Sequence, residues 1–269
     1  MMMNKGKLMV YPLRSGSSGN SVFISDGKTR ILIDAGTPCS VIEEALLDMD
    51  QNPSFLDALL VTHEHSDHIA GVGVLMRRYH VPLFVNSMTW QFMQRSIGPV
   101  DLSLVHPILR EQSFSVGRFD VKSFATPHDA VASVGYRIET CAGAITLMTD
   151  IGEMSPDLIE EAAGSRIVMI EANYDPAMLL AGPYPSQLKQ RVSSPVGHLS
   201  NEDCARAVYA LLGSGTEQFI LSHLSKENNY PELALLTVGR YLNNMKVKVG
   251  DDIKISVARR FAASDPICL

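Results

Sequence analysis

Apolar residues fall along this chain in short blocks separated by polar, glycine-rich or proline-containing stretches. Blocks at 8 to 13, 21 to 25 and 30 to 34 read as strands, a helix follows near 40 to 48, and a strand at 56 to 61 comes next. A helix running from His68 to about Tyr79 and an apolar strand at 81 to 85 continue the alternation. Ser155-Pro156 opens and Gly164 closes a short helix, and Ser200 with Asp203 three positions on opens another that ends at Gly213. Strands near 144 to 149, 166 to 171, 217 to 222 and 253 to 258 complete the pattern. Neither internal repeats nor low-complexity linkers interrupt it, so residues 1–269 read as a single domain.

The strand at 56 to 61 runs into Thr62-His63-Glu64-His65-Ser66-Asp67-His68, which gathers three histidines and an aspartate within six positions. Borderline divalent cations favour neutral imidazole nitrogens and carboxylate oxygens. On an extended strand end, His63 and His65 alternate onto one side and can share an ion. Asp67 and His68 lie beyond the strand, where Ser66 is placed to cap a first helical turn through Ile69 and Ala70, and they can reach a second ion. A polar turn whose histidines only hydrogen-bond the backbone is the competing picture. It leaves many ionisable groups crowded together without a shared counter-ion.

At this motif the chain resembles the metallo-β-lactamase superfamily, whose members add three ligands downstream. Candidates occur in the expected order after apolar or β-prone runs: His128 in Ala125-Thr126-Pro127-His128-Asp129, Asp150 in Leu147-Met148-Thr149-Asp150, and His223 in Ile220-Leu221-Ser222-His223. The resemblance implies that His63, His65 and His128 hold one ion and Asp67, His68 and His223 the second, with Asp150 bridging them. It also implies an α/β fold, the four-layer αββα sandwich, with the ions where strand ends meet. The two cofactor ions are expected to be zinc or manganese, with iron also acceptable. His80 and His106, beside Val81-Pro82 and Pro107, read as turn residues without chemistry.

A narrower resemblance covers essentially the whole chain. Leu13-Arg14-Ser15-Gly16-Ser17-Ser18-Gly19-Asn20-Ser21, then Ile31-Leu32-Ile33-Asp34-Ala35-Gly36, is similar to the amino-terminal signature of the YycJ- or WalJ-type branch, described as bacterial 5′-to-3′ DNA exonucleases. Read from its residues alone, the Ser/Gly/Asn stretch is either a flexible hairpin connection or an anion-binding nest. With the resemblance, Ser15, Ser17, Ser18 and Asn20 become candidate phosphate contacts. Related phosphodiesterases place a histidine in a loop like Ser193-Ser194-Pro195-Val196-Gly197-His198-Leu199-Ser200, oriented by a glutamate at the end of a preceding strand. The match assigns those places to His198 and Glu171, a catalytic pair, against the plainer possibility of a buried structural pair.

Composition narrows the setting. A chain of 269 residues that is 46% hydrophobic can bury a large core, and no segment approaches the ~20 apolar residues needed to span a bilayer. Met1-Met2-Met3-Asn4-Lys5-Gly6-Lys7 is polar and unlike a secretory signal. Cys39, Cys141, Cys204 and Cys268 form no CxxC pair, which suits free thiols in a reducing cytoplasm. The net charge of −6 argues against a broad basic face for nucleic acid, although two cations would add four positive charges inside the cleft. Small basic groups at Arg77-Arg78, Lys189 to Arg191 and Arg259-Arg260 could contact phosphates, and each read singly is ordinary solvated surface.

These readings combine into a cytoplasmic phosphodiesterase acting on nucleic acid, most specifically a 5′-to-3′ DNA exonuclease in which a metal-bridging hydroxide, held by Asp67, attacks phosphorus. No membrane association is expected, and the sequence identifies no obligate protein partner. Only 47 residues lie between Asp150 and His198, too few for the inserted β-CASP domain of larger nucleases in the superfamily. His65 stands where diiron relatives usually carry a carboxylate, and Asp150 where zinc β-lactamases have cysteine or serine. A small-molecule hydrolase, either a cyclic-nucleotide phosphodiesterase or a lactonase, is the alternative on the same metals.

Overall fold

Along most strands of this chain the side chains of both faces are buried, and successive residues enter different cores. The computed structural model describes residues 8–269, so the polar stretch Met1–Lys7, read as unlike a secretory signal, lies outside the described residues. One seven-stranded sheet is built from β1 (Met9–Arg14), β2 (Ser21–Ser25), β3 (Arg30–Ile33), β4 (Ala58–Val61), β5 (Leu83–Asn86) and β6 (Val105–Ile108) in that order, with β14 (Ile267–Cys268) outside β1. The second contains β7 (Gln112–Val116), β8 (Phe119–Ala125), β9 (Val134–Glu139), β10 (Ala144–Met148), β11 (Ser165–Glu171), β12 (Gln218–Ser222) and β13 (Lys254–Val257), again in chain order.

The two-residue period of a strand sorts these side chains. Ile31 and Ile33 of β3, Leu60 of β4, Ile145 and Leu147 of β10, Ile167 and Met169 of β11 and Ile220 of β12 meet in a core between the sheets. Their neighbours Leu32, Leu59 and Val61 face a second core under α1 (Cys39–Leu47) and α3 (Val72–Tyr79). Val168, Ile170, Phe219 and Leu221 face a third, under α5 (Pro156–Ala162), α8 (Asn201–Leu212) and α9 (Pro231–Asn244). Three apolar layers require four layers of structure, and the molecule is an αββα sandwich of two mixed sheets.

Strands β3, β4 and β5 run parallel, as do β10, β11, β12 and β13, so their carboxyl ends and the loops that leave them collect along one edge of the sandwich. Tyr136 on β9 is fully buried and its hydroxyl donates to the Val61 carbonyl at 2.7 Å, tying the second sheet to the end of β4.

Local details differ from the sequence expectations. The motif after β4 occupies a loop rather than an extended strand end, because β4 stops at Val61. Ser66 is the first residue of α2 (Ser66–Ile69), whose capping position is His65 with no side-chain capping bond. The expected continuous helix from His68 to Tyr79 is broken between α2 and α3 at Ala70-Gly71, where the Gly71 N–H turns to the Ala35 carbonyl. His106 lies within β6, stacked on Phe84, and not in a turn; His80 closes α3 in the left-handed conformation. Helix α4 (Ser87–Met93), strands β6, β7 and β9, α6 (Pro176–Ala181), α7 (Ser186–Val192) and α9 occupy regions where the hydrophobic pattern marked no element.

Candidate metal centre

Three residues of the site leave a strand by the same unusual step. Asp34 follows β3, Asp150 follows β10 and His223 follows β12, with φ of 58°, 56° and 53°. Non-glycine residues seldom adopt this conformation, and where they do the surrounding structure holds them in it. The turn aims each side chain into the edge where the parallel strands end. The loop after β4 brings His63 and His65 to that edge, α2 brings Asp67 and His68, and His128 lies three residues beyond β8.

The result is one cluster drawn from both sheets. Ligating atoms of His63, His65 and His128 lie within 4.8 Å of one another; the same holds for Asp67, His68 and His223, and for His63, His68 and Asp150. Asp150 stands between the groups: its carboxylate oxygens are 3.3 Å from His68 Nε2, 3.3 Å from His223 Nδ1 and 3.8 Å from His128 Nε2. Asp67 Oδ2 lies 3.8 Å from His68 Nε2 and 3.7 Å from His223 Nε2. His63, His68, Asp150 and His223 are buried to 2% exposure or less, whereas His65, Asp67 and His198 are half-buried and form the open rim.

Hydrogen bonds behind the cluster choose the imidazole tautomers. The Thr62 hydroxyl donates to Asp34 Oδ2 at 2.8 Å, so its oxygen is left to accept from His63 Nδ1 at 3.0 Å. His68 Nδ1 donates to Asp34 at 2.7 Å, His128 Nδ1 to the Gly197 carbonyl at 3.1 Å, and His223 Nδ1 to Glu171 at 2.8 Å. In each case the partner is left to accept, so each ring keeps a proton on Nδ1 and turns Nε2 toward the centre. Buried His63 Nε2, His223 Nε2 and Asp150 Oδ2 have no hydrogen-bond partner. Orphaned buried acceptors of this kind are costly unless a cation satisfies them. The donor set therefore fits divalent ions of the zinc or manganese class.

The electrostatics point the same way. Burial and the charge of His68 hold His63 well below its ordinary range, and burial keeps His128 low as well, which favours the neutral form that a metal ion requires. Burial opposes charge on His68, but Asp150 and Asp34 carry its pKa well above normal; His223, also opposed by burial, is pushed up to about 10, chiefly by Asp150. Burial opposes the charge of Asp67 and Asp150 too, yet contact with His223 and His68 lowers Asp67 to about 2 and Asp150 well below the carboxylate range. The carboxylates thus create a strongly cation-attracting field in which protons on His68 and His223 occupy places a metal can take.

Glu171, fully buried at the end of β11, does more than its expected task. One carboxylate oxygen lies 2.8 Å from His198 Nδ1 and 2.8 Å from His223 Nδ1, and the other accepts from the Ile151 N–H at 2.8 Å. Burial opposes charge on His198, and Glu171 nevertheless raises its pKa. Ser15 is buried, its hydroxyl accepting from the His223 N–H at 2.8 Å. Asn20 is also buried: its carbonyl oxygen accepts from the Gly16 N–H at 2.7 Å, and its amide group lies 3.0 Å from His68 Nε2. Ser17 and Ser18 are exposed at the tip of the same loop.

Sequence reasoning assigned no role to Asp34, Thr62 or Asn173. Asn173 donates to the His223 carbonyl at 2.8 Å. The one available signal was position, since Asp34 ends an apolar strand just as Asp150 and His223 do.

The family described as the β-lactamase superfamily domain matches residues 29–224. Over 248 residues, 90% of this chain and 91% of the relative, the sequence is 44% identical to the exodeoxyribonuclease WalJ of Streptococcus pneumoniae. It is 35% identical over 245 residues to the exodeoxyribonuclease YycJ of Bacillus anthracis, covering 90% of this chain and 92% of that one. Among solved structures, the metallo-β-lactamase fold protein YhfI of Bacillus subtilis superposes with a TM-score of 0.71 at 16% identity, over 97% of this chain and 99% of that one.

Proposed function

The chain belongs to the metallo-β-lactamase superfamily, in the branch of the exodeoxyribonucleases WalJ and YycJ, and from that membership we propose that it trims DNA from the 5′ end with two divalent ions. It is a metal-dependent hydrolase of the nuclease kind. The observation that carries the binuclear reading is the convergence of buried, unpartnered lone pairs from both sheets.

His63, His65 and His128 would hold one ion, Asp67, His68 and His223 the second, and Asp150 both. Zinc and manganese suit this mixed set, and iron is acceptable to it. Such a pair supplies Lewis-acid polarisation of phosphodiester oxygens and acidifies a water for in-line attack. The buried floor formed by His63, His68, Asp150 and His223 keeps bulk water from the reacting phosphorus. Asp67, on the rim, accepts a hydrogen bond from the attacking water and orients it. His198 has Nδ1 committed to Glu171, which leaves Nε2 to give a proton to the leaving oxygen, and the raised pKa keeps that proton available near neutrality.

Ser15, Ser17, Ser18 and Asn20 form the loop we assign to the DNA backbone. The bonds of Ser15 to His223 and of Asn20 to Gly16 brace it, and the exposed Ser17 and Ser18 are its phosphate-facing members. A single domain over residues 1–269 and a cytoplasmic setting belong to the same proposal, supported by four free cysteines. No helix among the described residues is long and apolar enough to cross a membrane.

The test is end-labelled, 5′-phosphorylated single- and double-stranded DNA incubated with metal-loaded protein, with an Asp67→Ala control. Progressive 5′ trimming, reduced at least about a hundredfold in the control, is expected. Intact DNA in the presence of full metal occupancy would overturn the assignment.

A further inference from the structure

The chain after β13 crosses back over the Ser/Gly loop and carries an arginine to it. Arg259 accepts a backbone bond from Ser15, and Arg260 extends its guanidinium across the loop: Nη1 lies 3.2 Å from the Ser17 hydroxyl, and Nη2 donates to the carbonyl of Leu224, the residue after His223. A glycine keeps this place open. Gly16 has φ of 142°, and a Cβ there would lie 2.9 Å from Arg260 Nη1. Arg260 is half-buried yet meets no carboxylate among the described residues, unlike its neighbour Arg259, which pairs with Asp265 at 3.1 Å. Beside it, Phe261 is 68% exposed, with the guanidinium carbon 5.7 Å from its ring centre.

A partly desolvated guanidinium that forms no ion pair among the described residues, the Ser17 hydroxyl next to it, and an exposed aromatic ring one residue on form a matched set for one nucleotide. Guanidinium and hydroxyl groups suit phosphate oxygens. An unburied ring offers a face on which a base of any identity can stack. Resting on the nuclease reading above, we propose that Arg260, with Ser17, binds a non-scissile phosphate of the DNA strand and that Phe261 stacks the attached base, setting the strand's register over the metal centre.

Equilibrium binding of a fluorescent single-stranded oligonucleotide with phosphorothioate terminal linkages tests this, measured across a salt series on the intact chain and its variants. Arg260→Gln is expected to weaken binding about tenfold and to reduce the magnitude of the slope of log affinity against log salt by about one. Phe261→Ala is expected to weaken binding about five- to a hundredfold with the slope unchanged, and Phe261→Trp to restore it. Arg260→Lys, which retains the charge, is expected to restore the slope, and this separates phosphate contact from loss of the loop's structure. If the arginine effect is confined to 5′-phosphorylated DNA, the phosphate is the terminal one; if 5′-hydroxyl DNA shows it equally, the phosphate is internal, and both support the assignment. Wild-type affinity and slope in both Arg260→Gln and Phe261→Ala, at unchanged melting temperature, would overturn it. Loss of DNA cleavage by the wild-type protein itself would instead overturn the nuclease reading.

Discussion

Asp34 shows how much of this centre depends on a residue that need not touch an ion. Its carboxylate takes the Nδ1 proton of His68, the hydroxyl of Thr62 and the Thr62 N–H, and through Thr62 it also sets the tautomer of His63. Partners of this kind typically carry ten- to hundredfold in metal affinity. Asp34→Asn should therefore bind zinc or manganese about ten- to a hundredfold more weakly in a chelator competition; unchanged affinity would remove Asp34 from the account. His198 and Glu171 make a contrasting pair. His198→Ala should lower turnover by a hundredfold or more while metal content is retained, because the role proposed for the histidine is at the leaving oxygen and not at the ions. Glu171→Gln should lower turnover and metal retention together, since Glu171 also holds His223, and metal analysis beside kinetics separates the two outcomes. The seven candidate ligands were legible in the sequence because four share one motif directly after an apolar strand and the other three follow apolar or β-prone runs in an informative order. Asp34 and Asn173 were not, because their partners lie 34 and 50 positions away and no spacing pattern announces a contact made by sheet pairing.

At the scale of elements, the loops that carry the centre are set by close backbone approaches that only glycine allows. A Cβ on Gly36 would come within 1.6 Å of the Asp67 carbonyl oxygen and 2.7 Å of the Asn20 nitrogen, so the loop after β3 seats directly against α2. Gly36→Ala should destabilise the fold by about 3 kcal/mol or more, with loss of bound metal, as read by urea denaturation and metal analysis. Tyr136 acts from the other sheet. Tyr136→Phe leaves the Val61 carbonyl short of a buried donor and should cost about 1 to 2 kcal/mol in the same denaturation. Strands β1 to β4 and β10 to β12 were readable because their apolar blocks are short and bounded. Strand β7 was not: it alternates exposed and half-buried positions at a sheet edge, so its pattern resembles loop. Helix α9 carries Gly239 and the β-branched pair Thr237-Val238 in its interior, which blurs the helical signal that packing against α8 then overrides.

For the whole molecule, the proposed ions are cross-links between two sheets that otherwise meet through side-chain packing and a few hydrogen bonds. Anything that binds only the folded state raises its stability, by about 2.7 kcal/mol at a hundred times the dissociation constant. Chelation should accordingly lower the melting temperature by roughly 5 to 10 °C, and re-addition of zinc or manganese should restore it. A melting temperature indifferent to chelator would argue against ions held between the sheets. Apart from the short closing strand β14, the first sheet is drawn from residues before 109 and the second from residues after 111. His63, His65, Asp67 and His68 come from the first stretch, His128, Asp150 and His223 from the second. During synthesis on the ribosome the first four candidate ligands emerge early and wait for the others, and the last arrives when residue 223 has been made. A product cut short before residue 223 carries the beginning of the motif without the residue that completes the candidate set, so the means to gather a metal pair is withheld until most of the second sheet has been made.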